Sequence, residues 1–277
     1  MTVSEVLAQA RTALPSRRGL PDPHREALFL LAAASRIDEI HLRMHPEENL
    51  PPEVERIFHR WVERRKAGEP AEYIVGRCSF WGRTFRVTPS VLIPRPETEL
   101  IVQAVLELSL PWEAQILDVG TGSGCLAITL AAERIDWHVV GVDRSFDALQ
   151  VARYNGAAHE VDVAWLWSDL SSCCGPGFDL VVANLPYIPT GWLPTLGVEI
   201  SREPVLALDG GPDGLDLVRR LIADLGRVLA SGGSCLLELA EGQAAAAEEL
   251  AVEHGLSPAG RRRDIGGCDR ILILERA

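Results

Sequence analysis

From residue 114 to its end this 277-residue chain repeats one pattern, a short apolar run followed in most cases by a stretch of helical character. The runs QILDVG, HVVGVD, VAWLWSD, FDLVVAN, GGSCLLEL and RILILE are apolar at most positions, as strands covered on both faces must be. Helical segments fall near 124–133, 145–158, 213–230 and 241–254. Strands separated by helices cannot pair as tight hairpins, so the pattern predicts an α/β fold built on a mostly parallel, doubly wound sheet.

The first 70 or so residues follow a different rule. Val54, Ile57, Phe58, Trp61 and Val62 recur at helical spacing over 52–66, with Pro52 near the start and Gly68 just past the end. Asp22 is placed to cap a helix that opens at Pro23, and another helix covers roughly residues 3–14. A small helical bundle over 1–72 follows. Residues 73–93, YIVGRCSFWGRTFRVTPSVLI, are rich in aromatic and β-branched types, and Gly82 and Arg83 divide them into two short runs, which reads as a β-hairpin. Together with Pro94-Arg95-Pro96 this makes a connector over 73–98, leaving 99–277 as the main domain.

The net charge is −12, and it is uneven: residues 1–75 carry −1 and the remainder −11. That balance argues against direct, sequence-independent binding of nucleic acid, which depends on many phosphate contacts. Cys78, Cys125, Cys173, Cys174, Cys235 and Cys268 form no C-x-x-C pair and no zinc-like spacing, so reduced thiols and no metal site are expected. The start MTVSEVLAQAR lacks the order of a signal peptide, and no apolar run approaches the ~20 residues of a membrane span. A cytoplasmic location without a membrane partner is expected. The oligomeric state stays open, with a monomer as the default.

Chemistry in such sheets sits at the C-terminal strand tips. The first tip is Gly120-Thr121-Gly122-Ser123-Gly124, where glycines let backbone N–H groups approach a ligand and a helix N-terminus follows. The next strand ends at Asp143, a carboxylate suited to ribose hydroxyls, and the third at Ser168-Asp169-Leu170, where Asp169 suits an adenine amino group and Leu170 its face. A dinucleotide turn would want a third glycine where Cys125 stands. The fourth strand ends in Asn184-Leu185-Pro186-Tyr187. The Asn184 carbonyl and the Leu185 backbone carbonyl are two acceptors for a planar NH2 group, Pro186 restrains Leu185, and Tyr187 offers a flat amphipathic face.

This layout resembles the class I S-adenosylmethionine-dependent methyltransferases. More specifically, GRCSFWGRTFRV, VLIPRPETEL, DVGTGSGCLAITLA, NLPYI and SREPVLALDGGPDGLDL together resemble the HemK/PrmC family, protein-(glutamine-N5) methyltransferases of peptide chain release factors. The resemblance runs nearly end to end. It implies S-adenosylmethionine as donor, the glutamine amide of a Gly-Gly-Gln motif as acceptor, and release factors as partners. It places cofactor contacts at Gly120, Thr121, Gly122, Ser123, Gly124, Asp143, Asp169, Leu170 and Asn184. Substrate contacts fall at Asn184, Leu185, Pro186 and Tyr187, with Asn184 and Tyr187 catalytic. Two positions depart from the family pattern: Leu185 stands where a first proline is usual, and Leu170 where some relatives have an aromatic residue. An adenine-N6 methyltransferase acting on RNA or DNA is the alternative, disfavoured by the acidic main domain; a dehydrogenase and a non-catalytic nucleoside-binding module rank below it.

Around this core the expectations are looser. Glu203, Pro204 and Asp209-Gly210-Gly211 lie in a loop on the active edge, either closing over substrate or simply solvated. Arg95 and Glu97 either line the pocket or sit on the surface. The basic group Arg56, Arg60, Arg64, Arg65 and Lys66 reads as a solvated helix face ahead of a docking surface for a protein partner.

Overall fold

The computed structural model describes residues 1–14 and 22–277, which divide into two compact units. The first comprises Met1–Arg77 and Gly197–Arg202; the second comprises Cys78–Leu196 and Glu203–Ala277.

The first unit is helical: α1 (Val3–Ala13), α2 (Pro23–Ser35), α3 (Glu39–Met44), α4 (Pro52–Lys66) and α5 (Ala71–Val75). Thr2 and Glu5 form a reciprocal capping box on α1, and Asp22 accepts from the His24 and Arg25 backbone N–H groups at the start of α2. Helix α5 corrects the hairpin reading, which had begun at Tyr73. Despite their β-branched and aromatic character, Tyr73 and Ile74 are buried in the helical unit, and Gly76 ends the helix at φ +79°. Packing overrides strand propensity over so short a span.

Arg65 leaves the solvated face assigned to it. Its side chain is buried, with Nε donating to Glu26 Oε1 at 2.7 Å and Nη1 to Glu199 Oε1 at 3.0 Å. Its neighbours on the helix keep exposed or half-exposed partners, Arg64 with Glu69 and Lys66 with Glu63.

The second unit opens with the two-stranded hairpin β1 (Arg77–Phe80) and β2 (Arg83–Arg86), turned through Trp81 and Gly82 at φ 50° and 69°. Two successive left-handed residues make the turn that matches strand twist, so the turn sits one residue earlier than the sequence suggested. Then come α6 (Glu99–Leu106), β3 (Gln115–Val119), α7 (Cys125–Glu133), β4 (His138–Asp143), α8 (Phe146–Ala158), β5 (Val163–Trp167), β6 (Phe178–Asn184), α9 (Asp216–Val228), β7 (Leu229–Glu238), α10 (Ala244–Glu253), β8 (Leu256–Arg263) and β9 (Asp269–Arg276).

The main sheet has seven strands in the order β5-β4-β3-β6-β7-β9-β8. The first five in that order run parallel, while β9 is antiparallel to both β7 and β8. Side chains alternate between two cores. Leu117, Val119, Val181, Ala183, Cys235 and Leu237 pack with α9 and α10; Ile116, Leu180, Val182 and Leu236 pack with α6 and α7 on the other face. Strand β8 was not anticipated. LSPAGRRR has no apolar alternation, and its Pro258 and Gly260 flank a register shift, as befits an edge strand that must not recruit another chain. The chain order reverses between β3 and β6, so their carboxyl ends open a crevice.

Candidate active site

A cavity of about 340 Å³ fills that crevice, walled by the ends of β3, β4, β5 and β6 and by two loops, 89–98 and 204–207. Gly120, Thr121, Gly122, Ser123, Asp143, Asp169, Leu170, Asn184, Leu185 and Pro186 all line it, so most of the residues singled out in the sequence converge on one space. Gly124 and Tyr187 do not.

The glycine turn is built for close approach. Gly120, Gly122 and Gly124 have φ of +76°, +56° and +81°. A methyl group at Gly120 would come within 3.1 Å of Leu185 Cδ2 on the adjoining strand tip. Gly124 is required from below: a methyl there would meet Ile128 and Trp165 at 2.9 Å, which explains this glycine by core packing rather than by a ligand. Asn155 of α8 braces the turn by donating to the Ser123 carbonyl at 2.8 Å and pairing with the backbone of Arg86.

Asp143 accepts from Gly122 N at 2.9 Å and from Ser145 N at 2.8 Å. Burial raises its pKa, although these N–H bonds favour its charge, and a carboxylate holding two bonds keeps acceptor capacity for hydroxyls. Asp169 is half-exposed and its carboxylate pairs with Arg220 at 2.6 Å. Leu170 takes a left-handed φ of 49° at the cavity wall, a conformation that side chains other than Gly, Asn or Asp seldom adopt, and such strain concentrates at functional sites.

Asp118, unremarked in the sequence, is fully buried in β3 and lines the cavity. Its Oδ2 accepts from Thr121 Oγ1 at 2.6 Å and from Ala127 N at 3.2 Å; burial pushes its pKa up to about 7. Its Oδ1 and the Ser123 hydroxyl, both of residues on the cavity wall, are buried without a hydrogen-bond partner among the described residues. An orphaned carboxylate acceptor and an orphaned hydroxyl beside a glycine cradle and a ribose-type carboxylate fit a nucleoside ligand carrying an amino group.

At the other end, the Asn184 Nδ2 donates to Thr98 Oγ1 at 3.0 Å. Its amide nitrogen is thereby occupied, and the carbonyl end remains for a ligand. Leu185 packs its side chain into the core, and burial pushes the Tyr187 hydroxyl up to about 12, with the charge of Glu238 adding to the rise and Arg95 and Arg270 opposing it. The motif is clamped from behind. Gln243 Nε2 donates to the Tyr187 carbonyl at 3.1 Å, Ile188 pairs with the backbone of Leu208 and Gly210, and a methyl on Gly210 would meet the Pro186 carbonyl at 2.7 Å. The late DGGPDG loop is therefore a structural brace. Glu203 is buried as well: it accepts from Ile93 N at 3.1 Å and pairs with Arg95, which ties the loop to the proline-rich connector. Pro204 lines the cavity, whereas Arg95 and Glu97 do not.

Comparison with known proteins places this site in a family. Residues 5–76 match the PrmC N-terminal domain model, and residues 96–191 match the methyltransferase small domain model. A release factor glutamine methyltransferase from Geobacter sulfurreducens is 38% identical over 273 residues, 98% of this chain and 95% of that one. The chain belongs to the release factor glutamine methyltransferases. The enzyme of the same name from Koribacter versatilis is 41% identical over 225 residues, covering 79% of this chain and 80% of its own. Among solved structures, a methyltransferase from Pyrococcus furiosus superposes with a TM-score of 0.56 at 17% identity, covering 79% of this chain and 98% of its own, a likeness of fold. In this family setting the fold is that of the class I methyltransferases. Among the described residues no helix is long and apolar enough to cross a membrane.

Proposed function

We propose that this chain transfers a methyl group from S-adenosylmethionine to the side-chain amide nitrogen of the glutamine in the Gly-Gly-Gln motif of peptide chain release factors. The observation that carries the reading is the Asn184 carboxamide, with its nitrogen spent on Thr98 and its oxygen end left for a ligand, on the same cavity wall as the glycine turn.

The glycine turn with Asp143, Asp169 and Leu170 holds the nucleoside part of the donor, and the orphaned Asp118 and Ser123 atoms suit its amino-acid end. When bound, the donor supplies an electrophilic methyl on a sulfonium, with a neutral thioether as leaving group. An amide nitrogen is a poor nucleophile because its lone pair is delocalised into the carbonyl. Asn184 Oδ1 and the Leu185 carbonyl accept its two hydrogens and favour a geometry in which that lone pair points at the methyl carbon. Leu185 supplies a backbone acceptor as a proline would, with Pro186 restraining it. The extra proton leaves to water after transfer. The helical part extends to Arg77, the connector continues to residue 98 and 99–277 is the catalytic part; the setting is cytoplasmic.

The test is mass spectrometry of a purified release factor after incubation with enzyme and donor, beside rRNA offered as rival substrate. One added methyl on the glutamine, lost in Asn184→Ala while donor binding persists, is expected. Methylated adenine with an unmodified release factor, or full turnover by Asn184→Ala, would overturn the reading.

A further inference from the structure

The neighbour of Asn184 across the sheet is Glu238, its register partner at the end of β7. This carboxylate is buried to 3% exposure, yet among the described residues no ion pair reaches it and its Oε2 has no hydrogen-bond partner. The Thr98 hydroxyl is among the groups that act on it, favouring its charged form, and that hydroxyl is itself buried and receives Asn184 Nδ2. Glu238, Thr98 and Asn184 thus come together as three polar groups at the tips of neighbouring strands and the start of α6. A buried acid kept at such cost without a direct ion pair among the described residues calls for a role beyond packing.

We propose that Thr98 and Glu238 are positioning residues that decide which way the Asn184 carboxamide faces. This rests on the reading of Asn184 given above. A carboxamide is nearly symmetric in shape, and packing alone barely distinguishes its oxygen from its nitrogen. A hydroxyl has one proton and two lone pairs. When that proton is committed to the Glu238 carboxylate, Thr98 can only accept from Asn184, so the amide must turn its nitrogen to Thr98 and its oxygen the other way. Flipped, Asn184 would present N–H groups to the substrate NH2, and donor would face donor. With Glu238 protonated, its own O–H can donate to Thr98, whose proton is then free for Asn184 Oδ1, and the flipped amide becomes available. The orientation of the catalytic amide is therefore tied to the charge on residue 238.

The groups around Glu238 are Thr98 and Glu97 ahead of α6, Arg95 in the connector, Tyr187 after β6, and Arg270 on β9, which is itself paired with Asp264 at 2.7 Å. Burial, the largest influence, and Glu97 raise the Glu238 pKa, the Thr98 hydroxyl, Arg270 and Arg95 oppose the rise, and the balance is about 7. The ionised form is the productive one, so kcat should rise with pH through about 7.

The experiment uses the full-length enzyme, purified release factor and S-adenosylmethionine, and compares wild type with Thr98→Val, Thr98→Ser, Glu238→Gln and Asn184→Ala. Thr98→Val keeps the shape and removes the relay: kcat should fall on the order of 10- to 100-fold, with KM and donor Kd little changed. Thr98→Ser restores the hydroxyl and should recover most of kcat. Glu238→Gln, which cannot titrate, should lose the rise in kcat near pH 7 that the wild type shows. A Thr98→Val kcat within about 2-fold of wild type, a Thr98→Ser no better than Thr98→Val, or a Glu238→Gln that keeps the rise would each overturn the inference. If Asn184→Ala abolishes transfer while Thr98→Val does not, the relay fails and the role of Asn184 stands. If Asn184→Ala retains transfer, the underlying reading fails first.

Discussion

Gly124 offers a quantitative test of how the donor-side turn is built. Replacing it by alanine adds one methyl at a φ of +81°, with Ile128 Cδ1 and Trp165 Cη2 each 2.9 Å away and Ala152 Cβ at 3.2 Å. The left-handed backbone costs an alanine about 1–2 kcal/mol. The contacts lie inside a packed core, where forcing in a methyl costs about 1–3 kcal/mol. Gly124→Ala should therefore lose about 2–5 kcal/mol in urea unfolding followed by tryptophan fluorescence. Gly242→Ala is the control, since it has nearly the same φ, +84°, but nothing within 4 Å of the added methyl; it should lose only about 1–2 kcal/mol. Because relief at Gly124 requires the turn to shift, donor affinity should fall in that variant and not in the control. Equal losses in the two variants would refute the steric argument, as would a Gly124→Ala protein within about 0.5 kcal/mol of wild type.

Other perturbations follow from the same structure. Asp118 titrates near 7 when folded against an ordinary 3.8, so its favourable contribution is complete below 3.8 and disappears as pH rises through about 7. Asp118→Asn should abolish this part of the pH dependence, worth about 4 kcal/mol, in unfolding midpoints measured across that window. Arg65→Ala leaves the buried Glu26 without its guanidinium and should cost about 3–5 kcal/mol in the stability of the helical unit, whereas exchanging both partners for leucine should cost far less, as measured by urea denaturation. Gln243→Leu strips the hydrogen bond from the Tyr187 carbonyl; about 1–3 kcal/mol of stability should go, and methyl transfer should fall more than donor binding.

Much of the site was legible because it is made of local motifs. Gly120 to Gly122, Asp143, Asp169 and Asn184 each sit at the end of an apolar run, and strand tips of a parallel sheet are bound to meet at one edge. What escaped was of two kinds. Asp118 and Glu238 lie inside the runs QILDV and GGSCLLEL, and the signal was there: an acid in a strand apolar on both faces has to be paired or used. Thr98 and Gln243 carried no such mark, because a threonine or glutamine at a helix start is ordinary until its partner is known. Secondary structure failed where tertiary contacts outvoted local preference. Tyr73 and Ile74 became helix by burial, and Leu256–Arg263 became a strand by pairing with β9 rather than by its own pattern.

Periodicity and punctuation, properties of neighbouring positions along the chain, were enough by themselves to determine an α/β sheet and a separate helical segment, and the strand-tip residues joined to a family resemblance pointed to the chemistry. Only the folded arrangement decided which face of the Asn184 amide is presented, why Gly124 admits no side chain, and that Arg65 is buried. Those outcomes depend on partners distant in sequence: Thr98 is 86 residues from Asn184, and Glu26 and Glu199 are 39 and 134 residues from Arg65. Hydrogen bonds and steric exclusion act over a few ångströms of space, a distance that the linear order of residues does not record.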